Sequence, residues 1–140
     1  MKYVLLDDTG DLGIEVRGHF FSDLFENLGN SIFDLIVENK NVNISLVERN
    51  FLDEDSLEDL IIKFANSIIW VFECKKIVGK MLKVNFSFKD NRYRMNYKIF
   101  GEKFDPSKHL IRNVLKSATY HNLEFKDQKK YKKIRLYFDL

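Results

Sequence analysis

The sequence predicts an α+β fold, in which a single domain packs two helices on a mixed, largely antiparallel β-sheet. In two stretches, near residues 22–37 and 56–76, apolar residues recur every three or four positions, which is typical of amphipathic helices. Elsewhere, and mostly after Lys80, apolar and polar residues alternate, which indicates half-buried strands. The length of 140 residues suits one domain, and only 6 glycines and 1 proline are present to mark a boundary.

The first half of the chain predicts strand, helix and strand. Residues 12–20 alternate as a strand, and Ser22 offers an N-cap oxygen for a helix that runs to about Val37. Asp23 in the first turn suits the positive end of the helix dipole. Residues 42–50 alternate again and predict a second strand.

A second helix is predicted to begin at Ser56, where Asp59 follows three residues later as in a capping box. Its apolar stripe is wide enough, with Trp70 included, to predict that the helix is covered on more than one side. The predicted helix ends near Lys75 and Lys76, where cations are favoured.

The second half predicts strands. Alternation from Lys80 is broken by a short turn at Asp90–Asn91, a loop is predicted at 105–110, and strand-like segments near 114–125 and 131–138 follow. The last two are joined by a polar turn that begins at Asp127.

Composition excludes several classes of protein. With 45% apolar residues and 13 phenylalanines the chain is not intrinsically disordered, and 1 cysteine excludes an intrachain disulfide. No signal or membrane-spanning segment is visible, so we expect a soluble cytoplasmic protein without membrane contact. The net charge of +2 hides an acidic first part, −10 over residues 1–74, and a basic second part, +12 over residues 75–140.

Familiar catalytic motifs are missing from the sequence. Gly79–Lys80 is followed by Met81 and lacks the upstream glycine of a P-loop, and neither a dinucleotide-binding fingerprint nor a nucleophile elbow occurs.

Two acidic segments are candidate metal sites. Asp7, Asp8 and Asp11 stand beside Gly10 and Gly13, and such hard oxygen ligands suit Ca²⁺ or Mg²⁺, although a polar turn before a strand would have the same composition. At the other end, Asp139 places a carboxylate beside the terminal carboxylate of Leu140, which is also compatible with a frayed terminus. Neither segment completes a site alone, but together they could.

Two basic segments are candidate contact surfaces. Residues 101–121 contain Lys108, His109, Thr119, Tyr120 and His121, for which a metal or general-base role of a histidine competes with ordinary surface polarity. Residues 126–135 combine lysines with aromatic residues, which fits RNA binding and equally fits a solvated hairpin at a sheet edge.

Four segments together resemble the archease family. Residues 7–13 resemble the family's N-terminal signature, in which Asp8 stands where histidine and Gly10 where alanine is usual, and residues 24–35 resemble its first helix. Residues 101–123, with the Thr119–Tyr120–His121 run, and the closing Phe138–Asp139–Leu140 are similar to its later motifs.

The resemblance implies an accessory protein rather than an enzyme. It would activate the GTP-dependent RtcB-type RNA ligase of tRNA splicing and RNA repair, by promoting guanylylation of the ligase and multiple turnover. The family's divalent cation, calcium foremost with magnesium or manganese as alternatives, would be bound by Asp11, Asp139 and Leu140, and Asp8 could add a ligand. Two alternatives stay open, a tRNA- or RNA-binding module that uses residues 126–135, and a small metal-dependent phosphohydrolase that uses Asp8, Asp11 and His121.

Overall fold

Two helices lie between two antiparallel sheets in a computed structural model of the chain, which describes residues 3–6 and 11–140. The elements follow one another as β1 (Val4–Leu6), β2 (Leu12–Gly18), α1 (Phe21–Ile36), a 3₁₀ turn (Asn39–Asn41), β3 (Leu46–Glu54), α2 (Leu57–Lys75), β4 (Ile77–Lys89), β5 (Arg92–Lys103), β6 (Ser117–Asp127) and β7 (Lys132–Asp139).

The predicted fold class is confirmed, and the strands divide into two sheets rather than one. The first sheet has the order β1-β2-β7-β6 and the second has the order β3-β5-β4. Every pairing between these strands is antiparallel. Each helix contacts strands of both sheets, because α1 packs on β2 and β4 while α2 packs on β6 and β3.

The core fills the space between these layers. Phe64 of α2 packs edge-on against Phe25 of α1 and Tyr97 of β5, with ring centroids 5.4 and 5.0 Å apart. All three side chains are almost fully buried. Trp70 is the exception to the predicted burial of α2, since it is 50% exposed beside Lys75, whose Nζ lies 5.6 Å from the indole ring centroid.

Helix starts follow the hydrogen bonds that are available to the first backbone N–H groups. Ser56 caps α2 as predicted, because its Oγ accepts the N–H of Asp59 at 3.1 Å. The N-cap of helix α1 lies two residues earlier than predicted, at Phe20 instead of Ser22. The Ser22 cap is not formed; instead the carboxylate of Asp23 accepts the N–H groups of Phe20 and His19, at 2.6 and 2.9 Å, just before the helix begins.

Strand boundaries differ most at β3, which was predicted at 42–50 and runs from Leu46 to Glu54. Its acidic end is held because Asp53 accepts hydrogen bonds from Arg92 and Arg94 of β5. The turn at Asp90–Asn91 is confirmed, with positive φ angles of 54° and 59°, which suit a two-residue hairpin. Neither helix in the described part of the chain is both long enough and apolar enough to cross a membrane.

Candidate functional site

The register of the first sheet brings the predicted cation ligands to one end of two adjacent strands. Leu12 of β2 pairs with Phe138 of β7. Asp11 immediately precedes Leu12 and Asp139 immediately follows Phe138, so the antiparallel ladder carries both acids to the same end. On its other side Asp139 pairs with Ser117 of β6, so β7 lies between the other two strands at this end.

The backbone at this end of β7 is fixed while its side chains reach solvent. The carbonyl oxygen of Asp139 accepts the N–H of Lys116 at 2.8 Å. The side chain of Asp139 is exposed, Leu140 is 57% exposed, and Asp11 is half-buried. The other acids of the N-terminal segment, Asp7 and Asp8, lie outside the described residues.

The oxygen atoms available at this end are the type of ligand that a hard cation prefers. Asp11, Asp139 and a main-chain or terminal oxygen of Leu140 would supply only oxygen ligands, which Ca²⁺, Mg²⁺ and Mn²⁺ prefer. Among residues 3–6 and 11–140 no group of three or more His, Cys, Asp or Glu side chains is placed to hold a metal ion. The described side chains therefore supply two carboxylates here, by register, and a full coordination shell needs further oxygen atoms.

Side-chain contacts also join β2 and β7 in the part of the ladder that follows the acidic end. A Cβ atom on Gly13 would lie 2.3 Å from Cε1 of Tyr137, so the phenol ring occupies the space above the glycine. Further along, Glu15 accepts hydrogen bonds from Arg135 and Arg17, at 2.9 and 3.0 Å. Burial alone would raise the pKa of Glu15, but these hydrogen bonds outweigh burial and lower it. This ion cluster supports the register that carries Asp11 and Asp139 to the same end of the two strands.

Three of the predicted contact residues lie on the neighbouring strand β6, namely Thr119, Tyr120 and His121. Thr119 pairs with Tyr137, and the β6–β7 pairing is then interrupted by a bulge that contains Asn122 with a φ of 58°. Tyr120 is 54% exposed, and its hydroxyl donates to Asp59 at 2.5 Å, which raises the pKa of Tyr120 to about 12. His121 is exposed in the same bulge, and β7 lies between it and Asp11, so the three ligands of the hydrolase alternative are not shown to converge.

Lys108 and His109 lie in a different part of the molecule, where both bind Glu102. Lys108 Nζ is 2.9 Å from each carboxylate oxygen of Glu102, and His109 Nε2 is 2.9 Å from Oε2. The hydrogen bond from Lys108, with further ones from Asn43 N–H and His109, lowers the pKa of Glu102 to about 2. His109 is only 4% exposed, so its ring stabilises the loop after β5 and is not presented to a partner in this structure.

Comparison with known proteins assigns this fold and its acidic end to a family. A model of the Archease protein family (MTH1598/TM1083) matches residues 3–140. The chain belongs to the archease family. The match covers both the first strand and the closing Asp139–Leu140, so the paired chain ends are part of what the archease model describes.

Similar proteins and structures agree with this assignment. The chain is 29% identical to an archease of Pyrococcus furiosus over 84% of this chain and 83% of that protein, and 27% identical to an archease of Sulfurisphaera tokodaii over 93% and 92%. The solution structure of Methanobacterium thermoautotrophicum protein 1598 has the same fold, with a TM-score of 0.84, 21% identity and coverage of 99% and 98%. The crystal structure of a Thermotoga maritima archease, described as a possible chaperone, gives a TM-score of 0.53 with 17% identity over 96% and 94%.

The basic segment 126–135 of this archease is partly neutralised by acids of the same sheet. Lys126 pairs with Glu124 at 3.1 Å, Lys132 with Asp127 at 3.1 Å, and Arg135 with Glu15. Each of these acids lies on the same sheet, so the sequence run overstates the free positive charge of this surface.

A second basic surface of the archease domain was not predicted from the sequence. Arg49, Lys98 and Lys83 belong to three different strands, and the ladder register aligns them on the outer face of the second sheet. Strand alternation places each of them on the solvent side, but only the pairing register shows that they are neighbours.

Proposed function

We propose that this archease is an accessory protein that activates a GTP-dependent RNA ligase of the RtcB type. In tRNA splicing and RNA repair it would promote guanylylation of the ligase and let the ligase turn over repeatedly. Membership of the family supports this role, and one relative of known structure is described as a possible chaperone. The observation that supports the proposal is the pairing of Leu12 with Phe138, because it carries the adjacent Asp11 and Asp139 to the same end of two neighbouring strands.

The residues at this end have two tasks in the proposal. Asp11, Asp139 and an oxygen of Leu140 would hold the cation, calcium first, and Asp8 would add a further ligand. A bound divalent cation supplies positive charge that offsets the negative charge of a triphosphate. The carboxylates would hold it at the exposed end of these two strands, which can enter the cleft of a partner without rearrangement of the core.

Positioning of charge is the chemistry that this edge can contribute. Like other transfers of phosphate groups, guanylyl transfer to the ligase depends on the alignment of phosphate oxygens with cations. The β2–β7 pairing fixes the backbone of both acids, because Gly13 and Tyr137 pair just inside them and Glu15 pairs with Arg135 beyond. We therefore assign this archease the role of presenting a prepositioned acidic end of the sheet, with the reaction itself carried out by the ligase.

The test measures guanylylation of an RtcB-type ligase with GTP, in the presence and absence of the protein. We expect a faster reaction with the wild type and a loss of most of the acceleration with Asp11→Ala or Asp139→Ala. Asp55→Ala removes an equal charge from an exposed position outside this end and should behave as the wild type. Equal rates with and without the wild-type protein would refute the proposal.

A further inference from the structure

The outer face of the second sheet carries a row of three cations. Arg49 of β3 pairs with Lys98 of β5, which on its other side pairs with Lys83 of β4. All three side chains are exposed, while the residues that alternate with them on β4 and β5 face the helices and are buried. Neighbouring strands are about 4.8 Å apart, and like charges directly opposite each other destabilise a sheet.

None of the three cations makes an ion pair with the described part of the chain, although acids are close by on the same sheet. Asp53 binds Arg92 and Arg94, at 2.8 and 3.2 Å, and Glu48 binds Lys75. Arg92, Arg94 and Lys75 are therefore balanced by acids within the protein, whereas the three cations of the row have no ion-pair partner among the described residues. The three neighbouring positive charges repel one another, and a bound anion would relieve this repulsion.

A cavity of about 390 Å³ lies along the row, and its lining includes all three cations, Asn85, Asn96 and Phe100. The volume is within the range of about 300–1,000 Å³ that small-molecule sites occupy. Amide side chains can both donate and accept, as recognition of nucleobase edges requires. One acid lines the cavity, Glu26 of α1, and its Oε2 accepts the N–H of Val84 at 2.9 Å.

Apolar side chains flank the row on both sides. Phe51 of β3 pairs with Asn96 and is 52% exposed, and on the other side Val47 and Met81, both paired with Phe100, are each 37% exposed. An aromatic ring held open to solvent beside aligned cations is the arrangement on which nucleobases stack while their phosphates bind basic side chains.

We propose that this face binds a single-stranded segment of nucleic acid. Phosphates would lie on Arg49, Lys98 and Lys83, a base would stack on Phe51, and the amides of Asn85 and Asn96 would contact base edges in the cavity. An acidic peptide would satisfy the cations but would leave the exposed ring and the amides unused. The inference does not need the ligase, since its residues are on the sheet opposite to Asp11 and Asp139.

The experiment measures fluorescence anisotropy of a labelled 12-nucleotide single-stranded RNA, titrated with the full chain at several salt concentrations. The variant R49A/K83A/K98A should bind at least tenfold more weakly, and its plot of log affinity against log salt should flatten by about 2, because about 0.7 is lost for each of three phosphates. The matched control K126A/K129A/K130A removes the same charge from the β6–β7 hairpin and should stay within twofold of the wild type.

Two further arms identify the ligand. Phe51→Leu keeps an apolar side chain but removes the ring, and it should weaken binding about fivefold or more. A poly-glutamate peptide of equal charge should compete poorly with the RNA.

Three results would overturn the inference. One is the absence of wild-type binding at low salt, another is an equal loss in both triple variants, and the third is equal binding of the peptide and the RNA. Melting temperatures of all variants check that they are folded, and we expect the R49A/K83A/K98A variant to be no less stable than the wild type, because the substitutions relieve repulsion.

Discussion

His109 donates its Nε2–H to Glu102. Its Nε2 lies 2.9 Å from Oε2 of Glu102, and its Nδ1 lies 2.9 Å from the backbone nitrogen of Asp105, which can only donate a hydrogen bond. The tautomer of the ring follows from these two contacts. Glu102 in turn accepts hydrogen bonds from Lys108 and from the N–H of Asn43. One carboxylate therefore connects the end of β5 to the loop that follows β5 and to the segment that precedes β3.

Stability should depend on pH through Glu102, whose pKa is lowered from 4.5 to about 2. The stabilisation is fully present above pH 4.5 and is lost as the pH falls towards 2. We expect Glu102→Gln to lower the free energy of unfolding by about 2 kcal/mol at pH 7 and by progressively less below pH 4.5. Urea unfolding at pH 7, 5 and 3.5 measures the difference. Glu73→Gln, at an exposed position on α2, serves as the control, and a pH-independent difference would contradict the assignment.

The hydroxyl of Tyr120 should contribute to stability up to high pH. Tyr120→Phe removes the hydrogen bond to Asp59 that joins β6 to the start of α2. Because the side chain is half-exposed, we expect a loss of roughly 0.5 to 1 kcal/mol. The raised pKa means that this loss is constant below pH 10 and disappears as the pH rises to about 12.

Denaturation of the wild type and of Tyr120→Phe at pH 8 and 11 measures this dependence. Tyr131→Phe is the comparison, since that hydroxyl makes no hydrogen bond to the described residues while its ring stays beneath Arg17. If Tyr131→Phe lowers the free energy of unfolding as much as Tyr120→Phe does, the hydrogen bond to Asp59 is not the cause of the loss.

Gly101 should tolerate no side chain. A Cβ atom there would lie 1.9 Å from the carbonyl oxygen of Val78, which is backbone and is held in the β4–β5 ladder next to the bulge at Gly79. We expect Gly101→Ala to cost about 3 kcal/mol and to lower Tm by about 10 °C. Gly13→Ala is the matched comparison, because its Cβ would meet only the ring of Tyr137, which can turn towards solvent. If both variants lower Tm equally in thermal denaturation, the backbone at Val78 can shift as easily as the ring of Tyr137 can turn.

A free terminus at Leu140 should matter for calcium binding. A short extension after Leu140 replaces the terminal carboxylate with a peptide carbonyl, and fewer charged ligands lower calcium affinity. We expect the Kd for calcium to rise about tenfold in isothermal titration calorimetry, with the same extension at the N-terminus as the control. Identical titrations would argue against a terminal-carboxylate ligand and leave only the carbonyl oxygen of Leu140.

Turns and helix ends were predicted correctly from the sequence where a particular residue type determines the backbone geometry. Asp90–Asn91 and Ser56 are such places, because a two-residue turn and an N-cap need particular side chains. The start of β3 was misplaced because residues 42–45 alternate without joining the ladder, which begins with the pair Leu46 and Gly101. Division into two sheets depends on which strands pair, and alternation within one strand does not encode that choice.

The candidate site was predictable to a similar degree. Asp11 and Asp139 were singled out by their acidic surroundings and by the family resemblance, and the register supports their proximity. The row formed by Arg49, Lys83 and Lys98 could not be found in the same way, because three isolated basic residues become neighbours only through the pairing of three strands. His109 was expected on a polar surface, but packing against Phe104 and the contact with Glu102 bury it.

The central position of β7 also constrains the order in which this protein can be assembled during synthesis. Glu15 and Arg135 are 120 residues apart in sequence yet bound to each other, and β7 separates β2 from β6. Until residues 132–139 have left the ribosome, β2 and β6 have no central strand to pair with, while the second sheet can already close from β3, β4 and β5. The nascent chain therefore exposes unpaired edges of β2 and β6 until β7 has been synthesised, and the acidic end forms in the same step that covers them.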